Sequence, residues 1–296
     1  QFGINGISIN SICEDKNGKL WLGTVSGIAS FNKNSGEYKF YPHHYEVYRF
    51  GWGIVNGILQ DSEGMLWLAT PGELMRFDPI SEIYSYYRND PFNSQSLSYN
   101  IISSLFKDRT GILWFGTSGG GINIYDPKSL RFSTLKRAKD SLSRITGFSI
   151  RSIIEDHAGT VWIGSDVLYE WNRKTGKLFS YETSSNRPND FGNTGIWTLV
   201  NSSDGKIWAA STEGLFSHDP STKKTRHYEF KPKNPKGLTQ RNVNAVCEDR
   251  KGNIWIVTEN YLSRLINIEK GEFEHYKYQS SSTQNNQSRI AIFQDS

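Results

Sequence analysis

Six tryptophans recur along the chain at a nearly constant step, and this repeat limits the fold more than any other feature. Trp21, Trp67, Trp114, Trp162, Trp208 and Trp255 are separated by 46, 47, 48, 46 and 47 residues. Each closes the same frame, Asp-x-x-Gly-x-x-Trp: Asp15/Gly18/Trp21, Asp61/Gly64/Trp67, Asp108/Gly111/Trp114, Asp156/Gly159/Trp162 and Asp249/Gly252/Trp255. The fifth copy keeps Gly205 and Trp208 but has Ser202 in place of the Asp. A step of roughly 40–50 residues built from short strands is the mark of propeller blades or a related array.

Within one step the residues fall into four short segments rich in Ile, Val, Leu and aromatics and bounded by Gly, Asn, Asp and Pro, which read as strands. The first precedes the Asp (9–13, 55–59, 102–106, 150–154, 196–200, 243–247) and the second holds the Trp (20–23, 66–69, 113–116, 161–164, 207–210, 254–257). The third ends at Asn32, Asp78, Asp126, Asn172, Asp219 or Asn267, and the fourth is aromatic, as at 38–41, 84–87, 178–181 and 275–278. Asp-x-x-Gly joins the first two strands: Asp accepts backbone N–H groups two residues on, and Gly supplies a positive φ. This gives the repeated Asp a structural role ahead of a catalytic or calcium-binding one. Asp78-Pro79, Asp126-Pro127 and Asp219-Pro220 mark the hairpin between the third and fourth strands.

The expected fold is an all-β propeller of four-stranded antiparallel blades. Six full repeats run over about 7–41, 53–87, 100–135, 148–182, 194–230 and 241–278, and 288–296 restart a seventh, since Asp295 lies 46 residues after Asp249. The chain therefore reads as one propeller segment, 1–296, of a longer protein whose ring has seven blades. The position four before each Asp is small throughout: Ser11, Gly57, Ser104, Ser152, Thr198, Ala245 and Ala291. Side chains converging on an axis from every blade would have to be small.

Composition excludes several classes. The net charge is +4, from 34 basic and 30 acidic residues interspersed along the chain, without the concentrated basic face of a nucleic-acid binder. Mean hydropathy is −0.57, and no apolar run approaches the roughly 18–20 residues of a membrane helix. Cys13 and Cys247 occupy the same position in the first and sixth repeats and read as small buried hydrophobes. Without Cys-x-x-Cys, and with His43, His44, His157, His218, His227 and His275 at unrelated repeat positions, neither a metal site nor a cofactor is expected.

The run 97–105 (LSYNIISSL), then 108–117 (DRTGILWFGT) and 119–127 (GGGINIYDP), is similar to a two-component regulator propeller repeat. The resemblance implies the periplasmic sensor region of a Bacteroides-type hybrid histidine kinase anchored in the inner membrane. It also implies a second propeller and an immunoglobulin-like domain in the same chain, homodimerisation of the full receptor, and recognition of an oligosaccharide. Kinase and DNA-binding modules would lie elsewhere in such a chain. The repeats depart from the pattern at Ser165-Asp166-Val167-Leu168 and at Glu259-Asn260-Tyr261, where Gly-Gly is expected. Two other function classes remain open at this point: a propeller lyase, and a protein-interaction scaffold without a small ligand.

Two sets of residues are the candidate ligand contacts. The first crossover between repeats, 42–52, carries Tyr48, Arg49 and Trp52, which combine aromatic faces with a planar hydrogen-bonding group on a long loop. The second is the position five before each Asp: Asn10, Asn56, Ser103, Arg151, Trp197 and Asn244. It is polar in most copies although it falls within a strand, and Arg151 and Trp197 break the repeat.

Overall fold

The computed structural model describes residues 8–43, 53–129, 131–134, 149–181, 191 and 194–278. Among these residues there are no helices, and the strands form six four-stranded antiparallel sheets whose strands follow chain order. Three sheets belong to a compact unit that runs to Ile150, and three to a second that starts at Arg151. The first strands are Ile9–Glu14, Gly57–Gln60, Ile102–Lys107, Ser152–Glu155, Ile196–Asn201 and Ala245–Glu248. The second are Leu20–Thr24, Leu66–Ala69, Leu113–Thr117, Val161–Gly164, Ile207–Ser211 and Ile254–Val257. These agree with the expected segments to within about two residues at each end. The partial seventh repeat, 288–296, lies outside the described residues.

The Asp turn does more than reverse the chain. Asp15 Oδ1 accepts the backbone N–H groups of Asn17 (2.8 Å) and Lys19 (3.0 Å), while Oδ2 accepts the indole N–H of Trp21 at 2.9 Å. Asp61, Asp108, Asp156 and Asp249 repeat this, with indole distances of 2.8, 2.7, 2.8 and 2.9 Å. The glycine three residues on takes a left-handed φ in all six copies, from 78° at Gly252 to 91° at Gly64, a conformation that costs a side-chain-bearing residue energy. One carboxylate thus closes the turn and fixes the indole. In the fifth copy Ser202 still closes the backbone turn with Gly205 (2.9 Å), but its hydroxyl donates to Glu248 (3.0 Å) in the next sheet. The buried Trp208 indole N–H has no partner among the described residues.

Trp21, Trp67, Trp162 and Trp208 each face an aromatic ring of their own sheet on one side and the next sheet of the same unit on the other. Trp21 lies 5.6 Å from Tyr41 and 5.9 Å from Phe77, and Trp67 lies 5.4 Å from Tyr87 and 4.9 Å from Tyr125 (ring centroids). In the second unit Trp162 lies 5.7 Å from Tyr181 and 5.3 Å from His218, and Trp208 stacks on Tyr228. The hydrophobic core is therefore a series of layers between sheets: Trp21 with Leu66, Leu68 and Phe77, Trp67 with Leu113 and Phe115, Trp208 with Ile254, Ile256 and Phe273. The first five tryptophans are at most 2% exposed; Trp255, in the last sheet described, is half-buried. At the opposite extreme Ile9 is 44% exposed, whereas its counterparts Val55, Ile102 and Ile150 in the same unit are buried.

Small residues four before the Asp have a specific cause. Within each unit the first strands of neighbouring sheets lie side by side, and the small hydroxyls at this position bond to backbone groups of the next repeat. Ser11 Oγ donates to the Val55 carbonyl (2.9 Å), Ser104 Oγ to that of Ile150 (2.9 Å), and Leu199 N–H donates to Ser152 Oγ (3.0 Å). The approach is so close that a Cβ on Gly116 would lie 2.2 Å from Ser104 Oγ and 2.7 Å from Ile150. A hydroxyl three residues after the Trp closes the next hairpin, with Thr24, Thr70, Thr117 and Ser211 donating to Gly27, Glu73, Gly121 and Gly214 carbonyls at 2.6–2.9 Å.

The contrast between Trp67 and Trp208 gives a direct test of the carboxylate–indole bond. Both are fully buried, but Trp67 has its Asp and Trp208 does not. Trp67→Phe is expected to destabilise more than Trp208→Phe by roughly 1.5–3 kcal/mol, the worth of a hydrogen bond to a charged acceptor; chemical denaturation of the two variants measures the difference.

Candidate ligand site

Residues five before the Asp are polar because they sit on a β-bulge. In the first sheet Ile9 pairs with Thr24 and Ser11 with Gly23, leaving Asn10 as the extra residue; Ser103 and Trp197 are bulged in the same way. Arg151 N–H bonds the Gly164 carbonyl, although Gly164 already faces Ser152, and Asn56 and Asn244 repeat this geometry against Ala69 and Val257. A bulge takes one residue out of the alternation and re-aims its side chain, so the position escapes the apolar pattern of the strand. The sequence places these residues within a strand; the structure places them at its irregular start.

In the first unit the row is modest. Ser103 Oγ lies 2.6 Å from the Ile150 carbonyl and 3.1 Å from that of Gly116. Asn56 is half-buried, and Asn10 reaches the Ser8 carbonyl at 3.4 Å. In the second unit the row becomes a connected cluster across three sheets. The Arg151 guanidinium lies 4.8 Å over the Trp197 ring and donates to Asp166 Oδ1 at 3.0 Å. Trp197 Nε1–H donates to Asn242 Oδ1 (2.8 Å), whose amide nitrogen donates to Asn244 Oδ1 (2.6 Å). Arg151 and Trp197, the two departures from the repeat, are therefore neighbours.

Asp166 and Asn242 complete the cluster and are absent from the sequence-based set. Asp166 was signalled by the break in the Gly-Gly pattern at Ser165-Asp166, but its partner is fifteen residues away and depends on sheet register. Tyr48, Arg49 and Trp52, the other expected contacts, lie outside the described residues. Loops between second and third strands emerge at the same end, because the end of each second strand pairs with the start of the first. Glu213 there takes Arg241 (3.1 Å), and Gln240 bridges to Glu259 through its backbone N–H (2.9 Å) and carboxylate (3.3 Å).

This end combines an indole face, carboxamides and a guanidinium whose charge Asp166 balances. Such groups hydrogen-bond hydroxyls and stack on C–H surfaces. The described histidines are engaged in packing: His43 with the Gly53 carbonyl (2.9 Å), His157 with that of Ser202 (3.2 Å), His227 stacked on Phe216 at 4.1 Å, and His275 with Ser263 (2.9 Å). Burial pushes the Cys247 thiol up to about 11, away from the range of a reactive thiolate. Among the described residues no group of three or more His, Cys, Asp or Glu could hold a metal ion, and no helix is long and apolar enough to cross a membrane.

A cation over an indole at partial exposure is worth about 0.5–1 kcal/mol. A double-mutant cycle on Arg151→Ala and Trp197→Ala should return a coupling of that size in folding stability; coupling indistinguishable from zero would mean the pair is only adjacent.

Three segments, 3–26, 96–119 and 237–260, match the family model described as "Two component regulator propeller". The chain is 28% identical over 191 residues to Histidine kinase P4 of Formosa agariphila, a stretch that is 62% of this chain and 13% of that protein. It is similar in structure to the extracellular domain of a hybrid two-component system of B. thetaiotaomicron, with TM-score 0.73, 20% identity, and coverage of 97% of this chain and 37% of the other. The virginiamycin B lyase of Staphylococcus aureus also shares the fold, with TM-score 0.65, 16% identity, and coverage of 93% and 86%. The chain thus spans a small part of the kinase and about a third of the extracellular domain. Three of its repeats match the two-component regulator propeller model by sequence, the other three have the same four-stranded build, and the chain has the fold of a β-propeller.

Proposed function

We propose that the chain is the ligand-sensing part of a two-component system, exposed outside the cytoplasm and joined to a histidine kinase elsewhere in the same protein. The family match in three repeats carries this reading, and the likeness to a histidine kinase and to an extracellular domain of a hybrid system supports it. On this reading the segment is non-enzymatic and periplasmic, held by an inner-membrane protein that continues into a second propeller and an immunoglobulin-like domain and functions as a homodimer. Its ligand is an oligosaccharide. The chemistry of the bulged row favours an uncharged one, because the Arg151 charge is already met by Asp166 while Trp197, Asn242 and Asn244 offer the stacking face and amides.

A lyase reading draws on the shared fold with virginiamycin B lyase. General acid–base catalysis needs a side chain within reach of the proton it moves, and the described histidines are instead turned into the blades or onto backbone carbonyls.

The test is calorimetric titration of the periplasmic region with uncharged and uronate-containing oligosaccharides, comparing wild type with Arg49→Ala, Trp52→Ala, Asn56→Ala, Arg151→Ala and Trp197→Ala. Loss of one good stacking or hydrogen-bonding contact should weaken binding about tenfold, equivalent to ~1.4 kcal/mol. Binding that none of the five changes alters would move the site elsewhere, and turnover of a glycan would overturn the sensor reading.

A further inference from the structure

The position just before the end of the third strand is Phe31, Phe77, Tyr125, Trp171, His218 and Ile266 in the six repeats. Only the fifth places an imidazole there, and it is fully buried. His218 lies between two sheets of the second unit, with ring centroids 4.9 Å from Tyr181, 5.3 Å from Trp162 and 6.0 Å from Phe191. In the first unit Phe77 occupies the same place against Trp21 and Tyr41. An apolar ring suffices for packing, so the histidine adds something that packing does not require.

Its hydrogen bonds define one neutral form. The Tyr181 hydroxyl donates to Glu170 Oε2 at 2.6 Å, so its oxygen is left to accept from His218 Nε2–H at 3.3 Å. Nδ1 then accepts from the Thr225 hydroxyl at 2.9 Å. The groups facing the ring are Glu170 and Tyr181 from the fourth sheet, and Lys223 and Asp219 from the turn of its own sheet. Lys223 is itself held by Glu170, at 3.0 Å, and keeps a positive φ of 56° in that turn. Glu170 is therefore shared between the lysine and the tyrosine and does not contact the imidazole directly. Burial, and next the Lys223 charge, hold the His218 pKa down to about 4.

We propose that His218 makes the contact between the fourth and fifth sheets an acid-sensitive latch, closed when the imidazole is neutral and opened when it takes up a proton. The sign follows from linkage. An imidazole exposed by opening titrates near 6.5, while the buried one resists protonation until about 4. The latch is therefore fully closed above pH 6.5, and loses stability as the pH falls from there toward 4. At pH 4.5 the opening equilibrium should be displaced on the order of 50–100-fold relative to pH 7 by this group alone. Local opening of one sheet contact is a cheaper route to that proton than global unfolding, and it gives a sensor a conformational response to acid that is independent of its ligand.

Hydrogen exchange, corrected for the intrinsic pH dependence of the rate, reads the latch directly. In the wild-type protein, amides of Lys177–Ser180 and Lys224–Tyr228 should lose protection between pH 7 and 4.5, while those of Leu74–Asp78 in the first unit keep theirs. His218→Phe, which copies the Phe77 arrangement, should abolish the pH-dependent part. Lys223→Gln should move its midpoint upward by removing the nearby positive charge, a test that stands even if the Phe variant folds poorly. Equal loss of protection in wild type and His218→Phe, or a His218 ring resonance titrating near 6.5, would overturn the proposal.

Discussion

The bond between the repeat Asp and the indole six residues later is the interaction on which the rest of the architecture depends. A buried indole needs a partner for its N–H, and a tight turn needs acceptors for the backbone groups it turns inward. One carboxylate meets both needs, with Oδ1 on two backbone N–H groups and Oδ2 on the indole. Because the turn is rigid, the ring has one orientation, and that orientation presents it to the neighbouring sheet. Local chain reversal and packing between sheets are thus coupled through a single side chain. For Asp249 the Trp255 indole, followed by Asn253, holds the carboxyl well below the usual range, as expected of an acceptor engaged in its charged form.

Much of the fold was legible because it is repeated. Six copies of the Trp frame set the strand order, the turn positions and the antiparallel connection, and the structure differs from that reading only at strand ends. What a sequence pattern conveys less well is the reason for each residue. Ser11 and Ser104 read as merely small, yet each donates its hydroxyl to a backbone carbonyl of the next repeat. The Thr or Ser three residues after the Trp is just as regular as the Gly, and could have been recognised as a hairpin clamp from its hydroxyl alone. The indole bond spans six residues and depends on the indole turning back over the turn, which a linear pattern does not display.

Sites are harder to read, for the opposite reason: function is written in departures from a repeat, and departures lack a second copy to check them. Polarity at Asn56, Arg151 and Trp197 was visible, but its cause, a bulge at the start of each first strand, is a property of register. Arg151 and Trp197 stand on adjacent sheets although 46 residues apart, and the repeat length is what brings them together. Asp166 joined them only once the hairpin geometry was known. His218 shows the same logic inside the core, where one histidine stands at a position that other repeats fill with Phe, Tyr, Trp or Ile.

The central claim, that the carboxylate couples the turn to the indole, is tested most directly by a double-mutant cycle on Asp61→Asn and Trp67→Phe, followed by denaturant unfolding. Asn keeps a neutral acceptor for the turn, and Phe keeps most of the buried ring, so the cycle isolates the charged bond. The account predicts a coupling energy of roughly 1.5–3 kcal/mol. Additive effects of the two substitutions would contradict it and leave the turn and the buried ring as independent features of each repeat.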